Sequence, residues 1–145
     1  MKYKEFELQK QVSKYLKTYY PFAKFDADYA SHISLTIPQK VRNKSIQCDD
    51  YKRPDTKIFV RNKNFTGLAL EIKKETPFKK DGTLKKQIKR DYEYVGGKKI
   101  LIKEVDHLQE QQKAIDYLIS QGWHAQFVWE FSQAKKVIDD YMSNI

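Results

Sequence analysis

Apolar side chains recur at helical spacing from the start of the chain. Leu8, Val12, Tyr15, Leu16 and Tyr19 fall on one stripe, which predicts a helix over residues 3–20. Pro21 stops it. Residues 22–28 follow as a candidate first strand. The pattern over 31–53 is weaker, although Thr36-Ile37-Pro38 can start a short helix running through Val41 to Lys44. Residues 56–61 and 67–73 read as two strands separated by a turn at 62–66, hence as a hairpin. Ile100-Leu101-Ile102 predicts a further short strand. A second amphipathic helix over 105–121 carries Leu108, Gln112, Ile115 and Ile119 on one stripe and ends at Gly122. Residues 123–129 form a last strand, and 131–142 a closing helix with Phe131, Ala134, Ile138 and Tyr141 inward. The order α, β, β, β, insertion, α, β, α predicts an α/β fold, a small mixed sheet flanked by helices.

Composition narrows the class. The chain has 145 residues, 40% of them hydrophobic, which fits one domain over 1–145. No linker or repeat divides it. No apolar run approaches the roughly 18 residues of a membrane span. The first residues, MKYKEFELQKQ, lack the apolar core of a signal peptide. Cys48 is the only cysteine, which excludes an internal disulfide and a zinc site built on several cysteines. A cytoplasmic protein is expected. His32, His107 and His124 do not have zinc-ligand spacing, and Gly96-Gly97 is not a phosphate loop.

The net charge is +9, which favours a polyanionic partner and nucleic acid first. The excess is concentrated, because residues 72–103 hold 11 Lys or Arg against four acids. A basic insertion around 74–103, punctuated by Asp81-Gly82 and Gly96-Gly97, thus offers Lys74, Lys79, Lys80, Lys85, Lys86, Lys89 and Arg90 to phosphates. Tyr92 and Tyr94 within it can stack on exposed bases.

Candidate chemistry centres on the strand at 67–73. Alternation puts Leu68, Leu70 and Ile72 on one face, and Ala69, Glu71 and Lys73 on the other. Pro54 suits the start of the neighbouring strand. If the two strands pair, Asp55 and Glu71 converge. Converging carboxylates repel unless a cation lies between them, and magnesium prefers oxygen ligands. An ion there activates water, and Lys73 can orient that water or neutralise phosphate charge. The competing reading is a solvated strand face with Asp55 as a turn residue. Glu5 and Gln9 extend the apolar stripe of the first helix and need polar partners, as does Gln111 beside Leu108 and Ile115.

The order Glu5, Gln9, Pro54-Asp55, Glu71-x-Lys73 and Gln111 resembles the VRR-NUC branch of the PD-(D/E)xK nucleases. So do Phe25-Asp26, the segment from Thr36 to Gln47, residues 79–84, His107-Leu108-x-x-Gln111 and the closing helix. These are similar to stand-alone phage and prophage members. The resemblance implies a restriction-endonuclease-like core, a central mixed sheet with flanking helices, and cleavage of DNA that depends on Mg2+ or Mn2+. It implies Glu5, Asp55, Glu71 and the Ile72 carbonyl as metal ligands, Lys73 as the catalytic lysine, and Gln111 placing the nucleophile or the lysine. It also implies selectivity for branched DNA such as Holliday junctions, and a bacterial cytoplasm as the place of action. No organic cofactor is expected. A homodimer is expected because one site cuts one strand. The alternative is a DNA-binding module of the same fold without hydrolysis. Tyr51-Lys52-Arg53 before the Pro-Asp and Thr56 after it depart from the family's usual residues, and the segment from Leu84 to Val105 is longer than in compact members.

Overall fold

A computed structural model describes residues 2–28 and 34–145. His32 lies outside the described residues. The elements run α1 (Lys2–Tyr19), β1 (Phe25–Ala27), α2 (Ile37–Ile46), β2 (Thr56–Ile58), β3 (Leu68–Ile72), β4 (Ile88–Val95), β5 (Lys98–Asp106), α3 (His107–Ser120), β6 (His124–Val128) and α4 (Phe131–Met142). The fold is mixed α/β. One sheet has the order β1-β2-β3-β6, and β4 and β5 form a separate two-stranded ribbon.

The main sheet is mixed because β1, β2 and β3 pair antiparallel while β3 and β6 pair parallel. The parallel pair needs a crossover, and α3 supplies it. β3 is buried along its whole length. Leu68, Leu70 and Ile72 meet Leu8, Val12 and Leu16 of α1 and Ala134 and Ile138 of α4. Ala69 shares the opposite core with Leu108, Ile115 and Leu118 of α3 and with Ala125 and Phe127 of β6. Helices therefore cover both faces. Full burial of one such Leu or Ile side chain is worth about 1.5–3 kcal/mol.

Several side chains fix the hairpin and its neighbours. Asn62 accepts from the backbone N–H groups of Asn64 and Phe65 at 2.9 and 2.7 Å, and donates to the Tyr141 carbonyl at 3.1 Å. The Tyr141 hydroxyl donates back to Val60 O at 2.5 Å. This ties the β2–β3 turn to the last helix. At Gly67 a Cβ would lie 2.4 Å from the Trp123 ring, so no larger residue fits there. Gly122, with φ of 89°, closes α3 in the left-handed region.

The structure corrects the sequence reading in several places. The strands expected at 22–28 and 56–61 are confined to Phe25–Ala27 and Thr56–Ile58. α2 starts where expected, with Thr36 as its capping residue, but reaches Ile46 and buries none of its residues. The inward face of α3 is Leu108, Gln111, Ala114, Ile115 and Leu118 rather than the stripe through Gln112 and Ile119, and Ile119 is exposed. Both sets of positions step by three and four residues, but the buried face is centred on Gln111 and Leu118, to the other side of Leu108 and Ile115 from Gln112 and Ile119. The insertion is an ordered ribbon, not a loop with one short strand. Among the described residues no helix is long and apolar enough to cross a membrane.

Candidate active site

The pairing of Thr56 with Leu70 sets the site. One position further along the same register, Asp55 comes opposite Glu71. Asp55 Oδ2 accepts the Ile72 backbone N–H at 2.8 Å. The Asp55 carbonyl accepts from Gln9 Nε2 at 2.9 Å and from the Asp28 backbone N–H at 2.8 Å. The polar residue on the core-facing stripe of α1 thus finds its partner in the backbone of the site loop. On the other strand, the Lys73 N–H donates to Val128 O at 2.8 Å and holds the end of β3 against β6.

Asp55 and Glu71 are both buried, with only 9% and 6% of their surface exposed, which rules out a solvated strand face. Gln111 Nε2 donates to Glu71 Oε1 at 2.7 Å. The two carboxyl groups lie close enough that each acts on the ionisation of the other. Burial, and then the Asp55 charge, push Glu71 well above the usual carboxylate range; Lys73 opposes this. Burial raises Asp55 too, against the hydrogen bonds from Glu71 and the Ile72 N–H. Two buried carboxylates cannot both ionise cheaply without a cation.

Glu5 is half-buried, and its negative charge raises both members of the pair. Among the described residues no three His, Cys, Asp or Glu side chains gather into a candidate cage. The structure therefore brings together Asp55 and Glu71 and leaves Glu5 beside them. A cleft of about 150 Å³ is lined by Glu5, Lys73, Lys74, Lys85, Lys86 and Gln87 among others, and reaches neither Asp55 nor Glu71. Lys73 belongs to the cleft wall and also acts on both carboxylates. The short loop after β3 returns Lys85 and Lys86 to the same wall, through the Lys85 N–H bond to Pro77 O at 2.8 Å and the Phe78–Leu84 bridge. Lys79, Lys80, Lys86 and Lys89 are exposed. Arg90 is engaged by Glu104 at 2.8 Å, and Lys99 lies 4.1 Å over the Tyr92 ring.

The site has members that the sequence reading did not single out. Tyr51 packs edge-on to Tyr117, and its hydroxyl is raised by burial and by the Glu71 charge. Lys52 pairs with Glu110 at 3.3 Å, and Arg53 with Asp28 at 3.0 Å. The unusual residues before the Pro-Asp thus clamp that loop to α3 and to the end of β1. His107 is held down to about 4 by burial, then by Lys89, Lys73 and Lys52, so it is neutral at pH 7. The Gln111 Oε1 and Thr56 Oγ1 atoms are buried with no hydrogen-bond partner.

These features fit a hydrated divalent cation. Magnesium commonly takes one or two protein carboxylates and keeps several waters. Asp55 and Glu71 are two such ligands, and their mutual repulsion in a buried site marks where positive charge is needed. The Gln111 oxygen is an acceptor with nothing to accept, which an ion's water would satisfy. No family model, no curated protein and no solved structure matches this chain.

Proposed function

We propose that the chain is a Mg2+- or Mn2+-dependent DNA endonuclease of the PD-(D/E)xK type, within the VRR-NUC branch that its residue order resembles. The observation that carries this reading is the buried Asp55–Glu71 pair with Lys73 two residues further along the same strand. Asp55, Glu71 and the Ile72 carbonyl would hold the ion, and Glu5 would contact it through its water. The ion, when bound, supplies Lewis acidity toward the scissile phosphate and lowers the pKa of nearby water.

The remaining work falls to this chain's own groups. The Lys73 ammonium, in the cleft wall, offsets the negative charge that builds on the phosphate oxygens as water oxygen adds to phosphorus and the P–O bond to the leaving sugar breaks. Gln111 holds Glu71 through its amide N–H, and its free oxygen can orient an attacking water. Lys85 and Lys86, with Lys79 and Lys80 on the adjoining loop, bind the DNA backbone without reading sequence. Branched DNA is the proposed substrate class, and a second copy of the chain supplies the cut in the other strand.

The test is cleavage of supercoiled plasmid, linear duplex, flap and four-way junction with magnesium, manganese or a chelator. The wild type should nick DNA only with metal. Lys73→Ala should bind DNA with the same salt dependence and leave it uncut. Salt-sensitive binding with no cleavage of any form by the wild type would instead make the chain a binding module.

A further inference from the structure

The ribbon of β4 and β5 stands outside both cores. Every residue of β4 is exposed, and so are all but the last two of β5. Yet the ribbon exposes large apolar groups, with Tyr94 72%, Val95 53%, Leu101 48% and Ile102 59% exposed. The register spreads these groups over both faces. Tyr92 and Tyr94 share one face with their partners Leu101 and Lys99, and Val95 shares the other with Ile100. Among the described residues neither long edge of the ribbon is paired. A lone two-stranded hairpin is marginal in water, and an exposed apolar edge is a template for another strand.

Charge identifies the occupant. The ribbon holds five basic and four acidic residues, a net +1, whereas residues 73–87 carry +4. The ribbon is therefore the less cationic part of the insertion and a poor match to DNA. Its charges are also ordered. β4 runs from Lys89 and Arg90 at the base to Asp91 and Glu93 nearer the tip. β5 runs from Lys98 and Lys99 at the tip to Glu104 and Asp106 at the base, with Lys103 the one exception. Each strand thus has a positive and a negative end. Laid antiparallel against its own copy, either strand brings opposite charges together; laid parallel, it brings like charges together.

We propose that the ribbon is a self-association surface, on which two copies of the chain pair their ribbons antiparallel, edge to edge, across a two-fold axis. Such an interface is isologous and closes as a dimer. It pairs one free edge of each ribbon with the other and joins the two into one four-stranded sheet, in which the apolar groups beside the shared edge pack against their counterparts. The inference rests on the proposed nuclease only in naming where the second copy binds.

The experiment is sedimentation of the full chain without DNA or metal. The wild type should be a dimer. Lys98→Glu with Lys99→Glu places acid against acid and should weaken the dimer at least about tenfold, with an unchanged circular dichroism spectrum. In a Cys48→Ser background, single cysteines placed along residues 99–104 should form self-crosslinks concentrated at one position near the axis. Lys73→Ala should dimerise like the wild type, so a failed cleavage assay leaves this result independent. A wild type that stays monomeric at about 100 µM overturns the proposal. So does a dimer that ignores the charge reversal and crosslinks at no ribbon position. Ribbon variants that stay dimeric but lose DNA binding would overturn it as well, in favour of a DNA contact.

Discussion

The four-stranded sheet and the two-stranded ribbon break opposite rules. In the sheet, charged groups are buried: Asp55 and Glu71 lie between strands covered on both faces. In the ribbon, apolar groups are exposed: Val95, Ile100, Leu101 and Ile102 lie in a segment that covers none of them. Neither arrangement is satisfied by the single chain. A buried carboxylate pair lacks positive charge, and an uncovered apolar ribbon lacks surface to pack on. A cation would supply the missing charge and a second copy of the chain the missing surface, and these are the separate functions we propose for the two regions.

The largest effect should separate the regions by activity. Lys73→Ala should lower cleavage by at least about 10²-fold, the usual cost of removing one electrostatic stabiliser. Charge reversal at Lys98 and Lys99 should leave cutting of one strand intact and reduce paired incision. Gel assays of nicked against linear plasmid read both.

Next comes Gly67→Ala, which tests the sheet alone. A methyl group 2.4 Å from the Trp123 ring forces that ring to move, at a cost of about 1–3 kcal/mol. Denaturant unfolding should show the loss, and sedimentation should show an unchanged oligomeric state.

A smaller effect is the pH dependence of the metal-free protein. Glu71 is raised in the folded state, so the fold binds a proton that the unfolded chain releases. The stability this contributes is fully present below the ordinary glutamate range and is lost as pH rises through the raised value. The melting temperature of wild type in chelator should therefore fall as pH rises above the ordinary glutamate range. In Glu71→Gln this component should be absent, and added magnesium should no longer raise the melting temperature.

The smallest effect lies in the ribbon. Its amides should exchange with solvent faster than those of β3, and their protection should grow with protein concentration, while β3 protection stays fixed. Hydrogen exchange at two concentrations reads both regions in one sample.

The same contrast explains what the sequence made legible. Asp55, Glu71 and Lys73 could be placed because strand alternation is local and the hairpin partner lies only 16 positions away. The partner of Gln9 could not, since it is a backbone carbonyl 46 positions along the chain. The face of α3 was read one position out at Gln112 and Ile119, because Ile119 is an apolar residue left on the surface. Tyr51, Lys52 and Arg53 carry no pattern, and their roles come from Tyr117, Glu110 and Asp28, which only folding brings near. Of the ribbon only Ile100-Leu101-Ile102 was read as strand, because its apolar residues do not alternate with a covered face and its lysines read as a DNA-binding loop.

The central claim is that the buried Asp55 and Glu71 carboxyl groups hold a divalent cation, which displaces the proton that burial favours on Glu71. Titration calorimetry of manganese into the metal-free protein, at about pH 6.5 in two buffers of different ionisation enthalpy, tests it most directly. The account predicts binding with release of a proton, weakened or lost in both Asp55→Asn and Glu71→Gln. No binding by the wild type, or binding that releases no proton and survives both substitutions, would contradict it.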